Sequence, residues 1–385
     1  MKIAYLTVDD PADINAWSGI NAYMADALRQ QEAVELYHVG PLRTALTFIS
    51  KVKAYLLTAL LRKRYLWPRD PFLLRAYARR AKRLLPLGCD LIFSPGTESI
   101  AYLRTSKPIV FWTDAPFAAM LDYYPWYCGL SSAARRDGLE CDTLALRHSR
   151  LAIYSSAWAA NSAIEQHGAD PAKIRVLPFG ANLESALTSE ELELLIPKRQ
   201  QSPWRFLLVG VDWKRKGADI ALEVVNELNR RGFPSELVVA GCQPPNSADA
   251  FSPYLRLEGF LDKRTRSGQV RLSALYHSAL FYFMPSRAEA YGIAYCEANA
   301  FGLPCLATNT GGVRSLIQDG LNGHCFASDQ SISAYADFII TTLTSGAYPT
   351  LSRNSLCLSH ERLNWNASVG SLLLSLRSMV SQARP

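Results

Sequence analysis

Short runs of β-branched, aromatic and other apolar residues alternate with helical patterns along the whole chain of 385 residues. This alternation predicts an α/β architecture, because parallel strands are joined by helical crossovers. The first predicted series of strands is 2–7, 35–39, 91–94, 108–113, 151–156 and 174–180, and the second is 205–211, 236–241, 256–261, 280–286, 305–309 and 324–327. The chain also exceeds the roughly 250 to 300 residues at which one core stops growing. Two doubly wound domains are therefore expected.

Composition narrows the class of protein. Hydrophobic residues make up 49% and charged residues 19% of the chain, which is typical of a globular protein. The eight cysteines form no C-x-x-C pair, so the sequence indicates neither a zinc site nor a disulfide framework, and a reducing cytoplasm fits. No apolar run approaches the ~20 residues of a membrane-spanning helix, so we expect a cytoplasmic protein, soluble or peripheral to the membrane. No G-x-G-x-x-G follows either first strand, so a dinucleotide cofactor is not indicated.

Positive charge is concentrated in one segment. The net charge is +7, yet residues 41–90 hold twelve Lys or Arg against two Asp. Asp70 and Pro71 predict the start of a helix over 72–85 whose basic side (Arg75, Arg79, Lys82, Arg83) lies opposite an apolar side (Leu73, Leu74, Tyr77, Ala81, Leu84, Leu85). Two interpretations stay open: solvated cations on a helix packed against its own sheet, or attraction of residues 43–85 to an anionic membrane surface. No nucleic-acid-binding motif accompanies the charge.

Two carboxylates stand eight residues apart in the mostly apolar segment 286–304. We predict Glu289 in a loop after strand 280–286 and Glu297 on a helix over 293–301, which Gly292 precedes. A helix amino terminus favours an anion, which Glu289 would repel unless cations lay nearby. Such cations follow the first strand of the second series at Lys214, Arg215 and Lys216. Each feature alone also fits a solvated loop or a tolerated helix acid.

Taken together, these residues resemble the retaining nucleotide-sugar glycosyltransferases of family 4, which have the GT-B fold. The resemblance rests on the E-x7-E signature Glu289 to Glu297 and on further motifs in the family's order: Ala298, Ala300, Gly302 and Pro304; Gly311 and Gly312; Val209, Gly210, Lys216 and Gly217; 171–182; and 17–24. It extends over nearly the whole chain. It implies two Rossmann-like domains that face each other across a cleft.

The resemblance implies a donor site in the second domain. Glu297 would hold the ribose hydroxyls of the donor and Glu289 the hydroxyls of the transferred sugar, since a carboxylate accepts two hydroxyl donors. The family's Arg and Lys pair corresponds to Arg215 and Lys216, although the usual arginine position after Gly210 is Val211. The donor's diphosphate would meet these two cations, Gly210 and the backbone N–H groups of Tyr291, Gly292 and Ile293.

The resemblance also gives roles to residues of the first domain. The backbone of Gly19 would approach the donor from that side. The residues alone also fit an ordinary helix that Ser18 caps. Asp114 either orients an acceptor hydroxyl or only caps a turn, and Thr113 stands near the point where many members have histidine. The domains implied are an acceptor-binding domain at 1–183, a nucleotide-sugar-binding domain at 184–362, which begins with a linker, and a helix at 363–385 that crosses back to the first domain.

The expected activity is transfer of a hexose from a UDP- or GDP-sugar to a glycan or lipid-linked acceptor with retention of configuration. It would serve the synthesis of a cell-surface polysaccharide or glycolipid on the inner face of the plasma membrane. No D-x-D motif is present, so neither a metal nor a cofactor is expected. Two alternatives remain: a catalytically silent subunit that binds the nucleotide sugar, or an epimerase or hydrolase of the same fold.

Overall fold

The computed structural model describes residues 1–14, 16–184, 186–245 and 252–382. Residue 185 of the predicted linker and residues 383–385 of the predicted last helix lie outside the described residues. The chain divides into two compact units. The amino-terminal unit is Met1–Pro178 together with the chain from Ser368, and the carboxyl-terminal unit is Phe179–Ala367.

The amino-terminal unit is built on a parallel sheet of six strands within the described residues. The strands are β1 (Lys2–Leu6), β2 (Glu35–Val39), β3 (Leu91–Ser94), β4 (Ile109–Thr113), β5 (Leu151–Tyr154) and β6 (Ile174–Val176), in the spatial order β2-β1-β3-β4-β5-β6. The helices are α1 (Ile20–Arg29), α2 (Ala45–Leu61), α3 (Pro71–Leu84), α4 (Phe117–Met120), α5 (Ser132–His148) and α6 (Ala157–His167). The strand order reverses between β1 and β3, which is where a doubly wound sheet leaves a crevice for a ligand.

The carboxyl-terminal unit repeats this plan. Its described strands are β7 (Trp204–Gly210), β8 (Ser235–Gly241), β9 (Leu255–Gly259), β10 (Phe281–Met284), β11 (Cys305–Thr308) and β12 (Gly323–Phe326), in the spatial order β12-β11-β10-β7-β8-β9. The helices are α7 (Ser189–Arg199), α8 (Ala218–Arg230), α9 (Arg266–Ser278), α10 (Ile293–Ala300), α11 (Ile332–Thr344), α12 (Tyr348–Glu361) and α13 (Trp365–Gln382), which continues into the other unit. Here the order reverses between β7 and β10.

The predicted strands are confirmed, each with ends within four residues of the prediction. The reason is burial: the four residues of β10 are inaccessible to solvent, as expected for a strand covered on both faces of a parallel sheet. The predicted helix start at Pro71 is also confirmed, with the Asp70 carboxylate accepting a hydrogen bond from the Phe72 N–H at 2.9 Å. On this helix the predicted basic side is exposed, but Leu84 is exposed as well, contrary to the prediction.

The predicted linker contains a helix that belongs to the carboxyl-terminal core. A capping box between Thr188 and Glu191 starts α7, and Leu192 and Ile196 are buried. Arg199 at its end is also buried, and its guanidinium donates to the carbonyl oxygens of His277 and Phe301, each at 2.9 Å. These bonds fix α7 against α9 and α10.

Gly217 determines how closely the loop after β7 approaches the loop after β10. It caps α8 with φ of +73°, a left-handed backbone, and a Cβ placed there would lie 2.0 Å from the Pro285 carbonyl oxygen. A side chain would therefore suffer both backbone strain and a backbone clash.

We predict that Gly217→Ala lowers the free energy of unfolding by about 3 kcal/mol or more, because it adds a clash to the cost of about 1 to 2 kcal/mol for a left-handed residue. The matched control is Gly232→Ala, since Gly232 also has positive φ, +84°, but no atom within 4 Å of its Cβ position. Urea denaturation of both variants measures the difference, and equal losses would show that the contact with Pro285 is unimportant.

Candidate active site

Two loops meet where the strand order of the carboxyl-terminal sheet reverses. The loop after β7 carries Arg215 and Lys216, and the loop after β10 carries Glu289 and Gly292. The N–H of Arg287 donates to the Arg215 carbonyl oxygen at 2.8 Å, which joins the two loops through their backbones. Both loops follow the carboxyl ends of adjacent strands, the usual position of a ligand site in an open α/β sheet.

Glu289 is the charged centre of these loops. Its side chain is only 7% exposed, and its Oε2 atom pairs with the Lys216 ammonium and lies 3.5 Å from the Arg215 guanidinium. Arg215 also donates to the Ala288 carbonyl oxygen at 3.1 Å. The structure thus brings Glu289 together with two cations that lie 73 and 74 positions earlier in the chain. A buried carboxylate requires such compensation, since an unpaired buried charge is costly.

Gly210 makes room for the lysine of this ion pair. It ends β7, and a Cβ at this position would lie 2.8 Å from the Lys216 Cγ atom and 3.2 Å from its Cε atom. The lysine stem therefore passes directly over the backbone of Gly210. This close approach explains a glycine at the end of a strand that is otherwise apolar.

The start of α10 lies beside this ion cluster. Gly292 is the N-cap in a left-handed backbone, φ +90°, and a Cβ there would lie 2.6 Å from the Tyr295 ring and 3.2 Å from the Glu289 side chain. The predicted helix is confirmed to within one residue. The first N–H groups of a helix have no partner within it and attract anions. Ile293 is the first helical residue, whereas the Tyr291 hydroxyl donates to the Phe179 carbonyl oxygen at 2.8 Å.

Glu297 has its own set of partners on α10. It is 1% exposed, its Oε1 atom lies 2.5 Å from the Lys263 ammonium, and the Tyr276 hydroxyl donates to Oε2 at 3.0 Å. Sequence reasoning did not find Lys263 or Tyr276. The only signal was that Lys263 belongs to the stretch after β9, which lies at the same edge of the sheet.

Both glutamates affect the pKa of one buried side chain, Tyr282. Burial first, and then the negative charges of Glu297, Cys305 and Glu289, hold the pKa of the Tyr282 hydroxyl well above its usual range. Glu289 lies in the loop before α10 and Glu297 on the second turn of that helix.

The third cation of the loop after β7 has a different position. Lys214 is mostly exposed and pairs with Asp219 at 2.8 Å, and Arg287 pairs with the same carboxylate at 2.8 Å. The prediction of three clustered cations is therefore wrong for Lys214. Val211, which stands where the resembled family usually has arginine, is 70% exposed. Arg215 supplies a guanidinium against Glu289 from four residues further along the chain.

In the amino-terminal unit, an unusual backbone precedes α1. Trp17, Ser18 and Gly19 have φ of 49°, 57° and 86°, three successive left-handed residues, of which two carry side chains. Such a conformation is costly and is often found at functional sites. The prediction that Ser18 caps α1 is wrong: Gly19 is the N-cap, and no side chain makes the capping hydrogen bond. The turn needs Gly19 because a left-handed cap favours glycine.

Asp114 is joined to this turn. Its Oδ2 atom accepts a hydrogen bond from the Trp17 indole N–H at 3.2 Å, and its Oδ1 atom accepts one from the Ala115 N–H at 2.8 Å. The structure therefore brings Asp114 and the turn containing Gly19 together at the carboxyl ends of β1 and β4.

A cavity of about 570 Å³ opens at this edge of the amino-terminal sheet. Aromatic and charged side chains line it, including Trp17, Trp67, Tyr124, Trp126, Arg69 and Asp114. Arg69 is buried and pairs with Asp142 and, at 3.1 Å, with Glu98. Burial opposes ionisation of Asp142, but Arg69 and the hydrogen bonds from the Phe117 N–H and the Thr97 hydroxyl keep the pKa of this carboxyl below its ordinary value. Sequence reasoning missed this pocket.

Among the described residues, no group of three or more His, Cys, Asp or Glu side chains could hold a metal ion. The charged groups of both sites are instead arranged as carboxylates against Lys or Arg. Such a cluster can bind a ligand that carries both hydroxyl groups and negative charge.

Comparison with known proteins agrees with this geometry. Residues 195–354 match the family model of the glycosyl transferases group 1, and this match lies wholly in the carboxyl-terminal unit. The chain is 26% identical over 157 residues to a glycogen synthase of Pseudomonas syringae pv. tomato, covering 40% of this chain and 32% of the relative. It is 25% identical over 242 residues to a D-inositol 3-phosphate glycosyltransferase of Frankia alni, covering 60% and 59%. The chain thus spans only about a third to three fifths of these relatives.

Solved structures resemble the chain over nearly its whole length. A sucrose-phosphate synthase from Thermosynechococcus elongatus has a TM-score of 0.68 at 16% identity, covering 99% of this chain and all of its own. The lipopolysaccharide outer core galactosyltransferase WaaB has a TM-score of 0.64 at 12% identity, and Anabaena HepE in complex with UDP has 0.63 at 16%; each covers 97% of this chain and all of its own. The predicted GT-B fold, with two Rossmann-like units, is confirmed.

The ion cluster around Glu289 generates a prediction about stability. Lys216→Met should lower the free energy of unfolding by about 2 to 4 kcal/mol, because it leaves a buried carboxylate with Arg215 as its remaining cation. The double variant Lys216→Met, Glu289→Gln should regain much of this loss, since it removes the buried charge.

Chemical denaturation of the single and double variants checks this coupling. Lys214→Met is the matched control, because its partner Asp219 is shared with Arg287, and a loss below about 1 kcal/mol is expected there. If the double variant is no more stable than Lys216→Met, then Lys216 and Glu289 do not stabilise each other.

Proposed function

We propose that this protein is a retaining glycosyltransferase of family 4 that moves a hexose from a UDP- or GDP-sugar to a glycan or lipid-linked acceptor. The observation that carries the proposal is the buried Glu289 carboxylate held against Lys216 and Arg215 beside the start of α10. A carboxylate suits sugar hydroxyls, whereas the cations and helix N–H groups suit a diphosphate. A nucleotide sugar presents both kinds of group next to each other.

Each donor group has a proposed partner. Glu289 binds hydroxyls of the transferred sugar and Glu297 binds the ribose hydroxyls, with Lys263 and Tyr276 holding that carboxylate in place. The N–H groups of Tyr291, Gly292 and Ile293 meet the diphosphate. Gly210 lets the Lys216 stem approach, and from the amino-terminal unit Gly19 supplies backbone contact with the donor.

The chemistry follows from where charge develops. As the bond between the anomeric carbon and the phosphate oxygen breaks, negative charge grows on the diphosphate, and Lys216 and Arg215 stabilise it. The departing phosphate oxygen takes the proton of the acceptor hydroxyl, which forms the new bond on the same face of the sugar. This route retains configuration without a protein nucleophile, and we propose that it needs neither a metal nor a cofactor.

The cavity of the amino-terminal unit is the proposed acceptor site. Its tryptophan and tyrosine rings offer flat apolar faces for sugar rings, and Asp114 offers a carboxylate for an acceptor hydroxyl. The bond from Trp17 holds Asp114 in a fixed orientation.

The comparisons support a role in making saccharides. The curated relatives include a glycogen synthase and D-inositol 3-phosphate glycosyltransferases, and the similar structures include a lipopolysaccharide galactosyltransferase and HepE with UDP-glucose. On this basis we propose synthesis of a cell-surface polysaccharide or glycolipid on the cytoplasmic face of the plasma membrane.

A donor screen tests the proposed function. Thermal shift with UDP-, GDP-, ADP- and dTDP-sugars, followed by product analysis with and without added acceptors, should identify one base whose nucleotide sugar stabilises the protein and is consumed. Stabilisation without turnover in the presence of acceptors would favour the silent subunit. Conversion of the sugar without any acceptor would favour an epimerase or hydrolase.

Lys216→Ala should lower turnover by about 10²-fold, the size expected for loss of one group that stabilises transition-state charge. Steady-state kinetics measure this at a temperature where circular dichroism shows the variant folded. Lys214→Ala, the matched control on the same loop, should remain within about twofold of the parent. Unchanged kinetics for Lys216→Ala would refute its assignment.

Glu297→Gln should raise the KM for the donor by about tenfold and change kcat less, because a ribose contact is made equally in ground and transition states. The variant retains the size of the side chain, and its single carbonyl oxygen can still accept from one of the two donors, Lys263 or Tyr276. A change confined to kcat would contradict a ribose-binding role and would instead place this carboxylate next to the reacting sugar.

A further inference from the structure

Helix α2 exposes an apolar face that no part of the described chain covers. Six large apolar side chains of this helix are at least 40% exposed: Phe48, Ile49, Val52, Tyr55, Leu56 and Leu60. Three of them, Phe48, Tyr55 and Leu60, are 71%, 75% and 79% exposed. Single exposed apolar residues are ordinary, but a continuous row on one helix indicates an interaction surface.

The geometry of the helix shows that these residues form one surface. At about 100° per residue they fall within an arc of about 140°, together with the exposed Ala45 and Ala59. The opposite side of the helix carries the buried Thr47, Ser50 and Ala54, and Ala54 belongs to the core cluster that includes Phe117. A helix on the surface of a soluble protein normally has a polar outer face. Here the outer face has no charged residue.

Positive charge surrounds this apolar face. Lys51 lies at one border of the arc and Lys53 at the other, while Arg62 and Lys63 follow the helix and are exposed. The sequence has no Asp or Glu from residue 36 to residue 69. Asp70, the next acid, is 1% exposed and pairs with Lys53 at 2.8 Å. The surface around α2 is therefore apolar at its centre and cationic at its edge.

Tryptophan extends the same surface beyond the helix. The Lys51 ammonium lies 5.0 Å from the centre of the Trp67 ring, and the Arg64 guanidinium lies 5.7 Å from that of Trp126, whose side chain is 66% exposed. Tryptophan beside Lys and Arg is a combination favoured at the boundary between lipid headgroups and acyl chains.

We propose that α2 lies in the surface of an anionic lipid bilayer, with its apolar face among the acyl chains and its cations among the headgroups. The helix has 17 residues, fewer than the ~20 needed to cross a bilayer, and no helix of the described residues meets the criteria for a membrane span. Lys51 can extend its ammonium group to the headgroups while its stem covers apolar surface, whereas the Lys53 ammonium is held by Asp70. The sequence left open a membrane contact through residues 43–85, and the proposal places this contact on α2.

Charge argues against a second copy of the chain as the occupant. A twofold contact through α2 would bring the same cations of both copies together, with no acid from the surrounding segment to compensate them. An anionic bilayer supplies the opposite charge at every cation. This inference depends on the apolar face of α2, which contributes no residue to the cavity proposed as the acceptor site, whereas Trp67 and Trp126 at the edge of the surface also line that cavity.

Vesicle flotation with the full chain tests the proposal. At about 0.1 M salt, binding to vesicles with about one third phosphatidylglycerol should exceed binding to pure phosphatidylcholine at least tenfold. The triple variant Phe48→Ser, Tyr55→Ser, Leu60→Ser should reduce binding to the anionic vesicles at least tenfold, because it removes the three most exposed apolar side chains from the face. Folding should be unaffected, since all three side chains are mostly exposed.

The matched control is Leu87→Ser, Leu194→Ser, Leu374→Ser, which removes three side chains that are 98%, 68% and 70% exposed on other parts of the chain. It should bind as the parent does. The pair Arg62→Glu, Lys63→Glu should weaken binding at least fivefold, whereas Arg147→Glu, Arg150→Glu, with the same change in net charge, should not.

Three results would overturn the proposal. The first is equal binding of the parent to both kinds of vesicle. The second is equal loss of binding in the α2 variant and its control. The third is a parent that light scattering shows to be a dimer, that becomes monomeric in the α2 variant and that binds neither kind of vesicle, since a second copy would then cover the face.

Discussion

A buried ion cluster joins the two loops on which the candidate donor site depends. Glu289 cannot lie in the core of the carboxyl-terminal unit without compensation, and Lys216 and Arg215 supply it from the end of the neighbouring strand. Gly210 and Gly217 permit this, the first by leaving room for the lysine stem and the second by contacting the backbone at Pro285. The same residues therefore serve stability and ligand binding. Glu289 and its two cations neutralise each other, and they are also suited to bind a charged, hydroxyl-bearing ligand.

The amino-terminal unit also contains a buried carboxylate that is compensated by a cation. Arg69 and Asp142 form a buried pair near a cavity lined by aromatic rings, and Trp17 holds Asp114 at the edge of that cavity. In the carboxyl-terminal unit the charged groups follow the carboxyl ends of β7 and β10, where the strand order reverses, whereas in the amino-terminal unit Asp114 follows β4. The amino-terminal cavity is lined by aromatic rings, which suit the sugar rings of the proposed acceptor. The carboxyl-terminal unit has an ion cluster, which suits the proposed diphosphate.

Much of this arrangement could be predicted from local sequence. The buried strands and the start of α3 at Pro71 follow from periodicity, burial and capping, which nearby residues determine.

Contacts between distant residues were harder to predict. Tyr276 and Lys263 reach Glu297 only because α9 and the loop after β9 pack against α10. Lys214 pairs with Asp219, a carboxylate that also binds Arg287. Ser18 failed as a cap since the backbone before α1 is left-handed. The exposed face of α2 was also unpredictable, because periodicity does not show which side of an apolar helix is buried.

The central claim is that the cation-compensated start of α10 binds the diphosphate of a nucleotide sugar. Hydrogen exchange followed by mass spectrometry tests it most directly, with a nucleoside diphosphate added in the presence of a chelator. We expect slower exchange in the peptides that contain 209–217 and 289–297, because the ligand would cover the amide groups of both loops. Saturating ligand that protects other segments and leaves these two unchanged would contradict it.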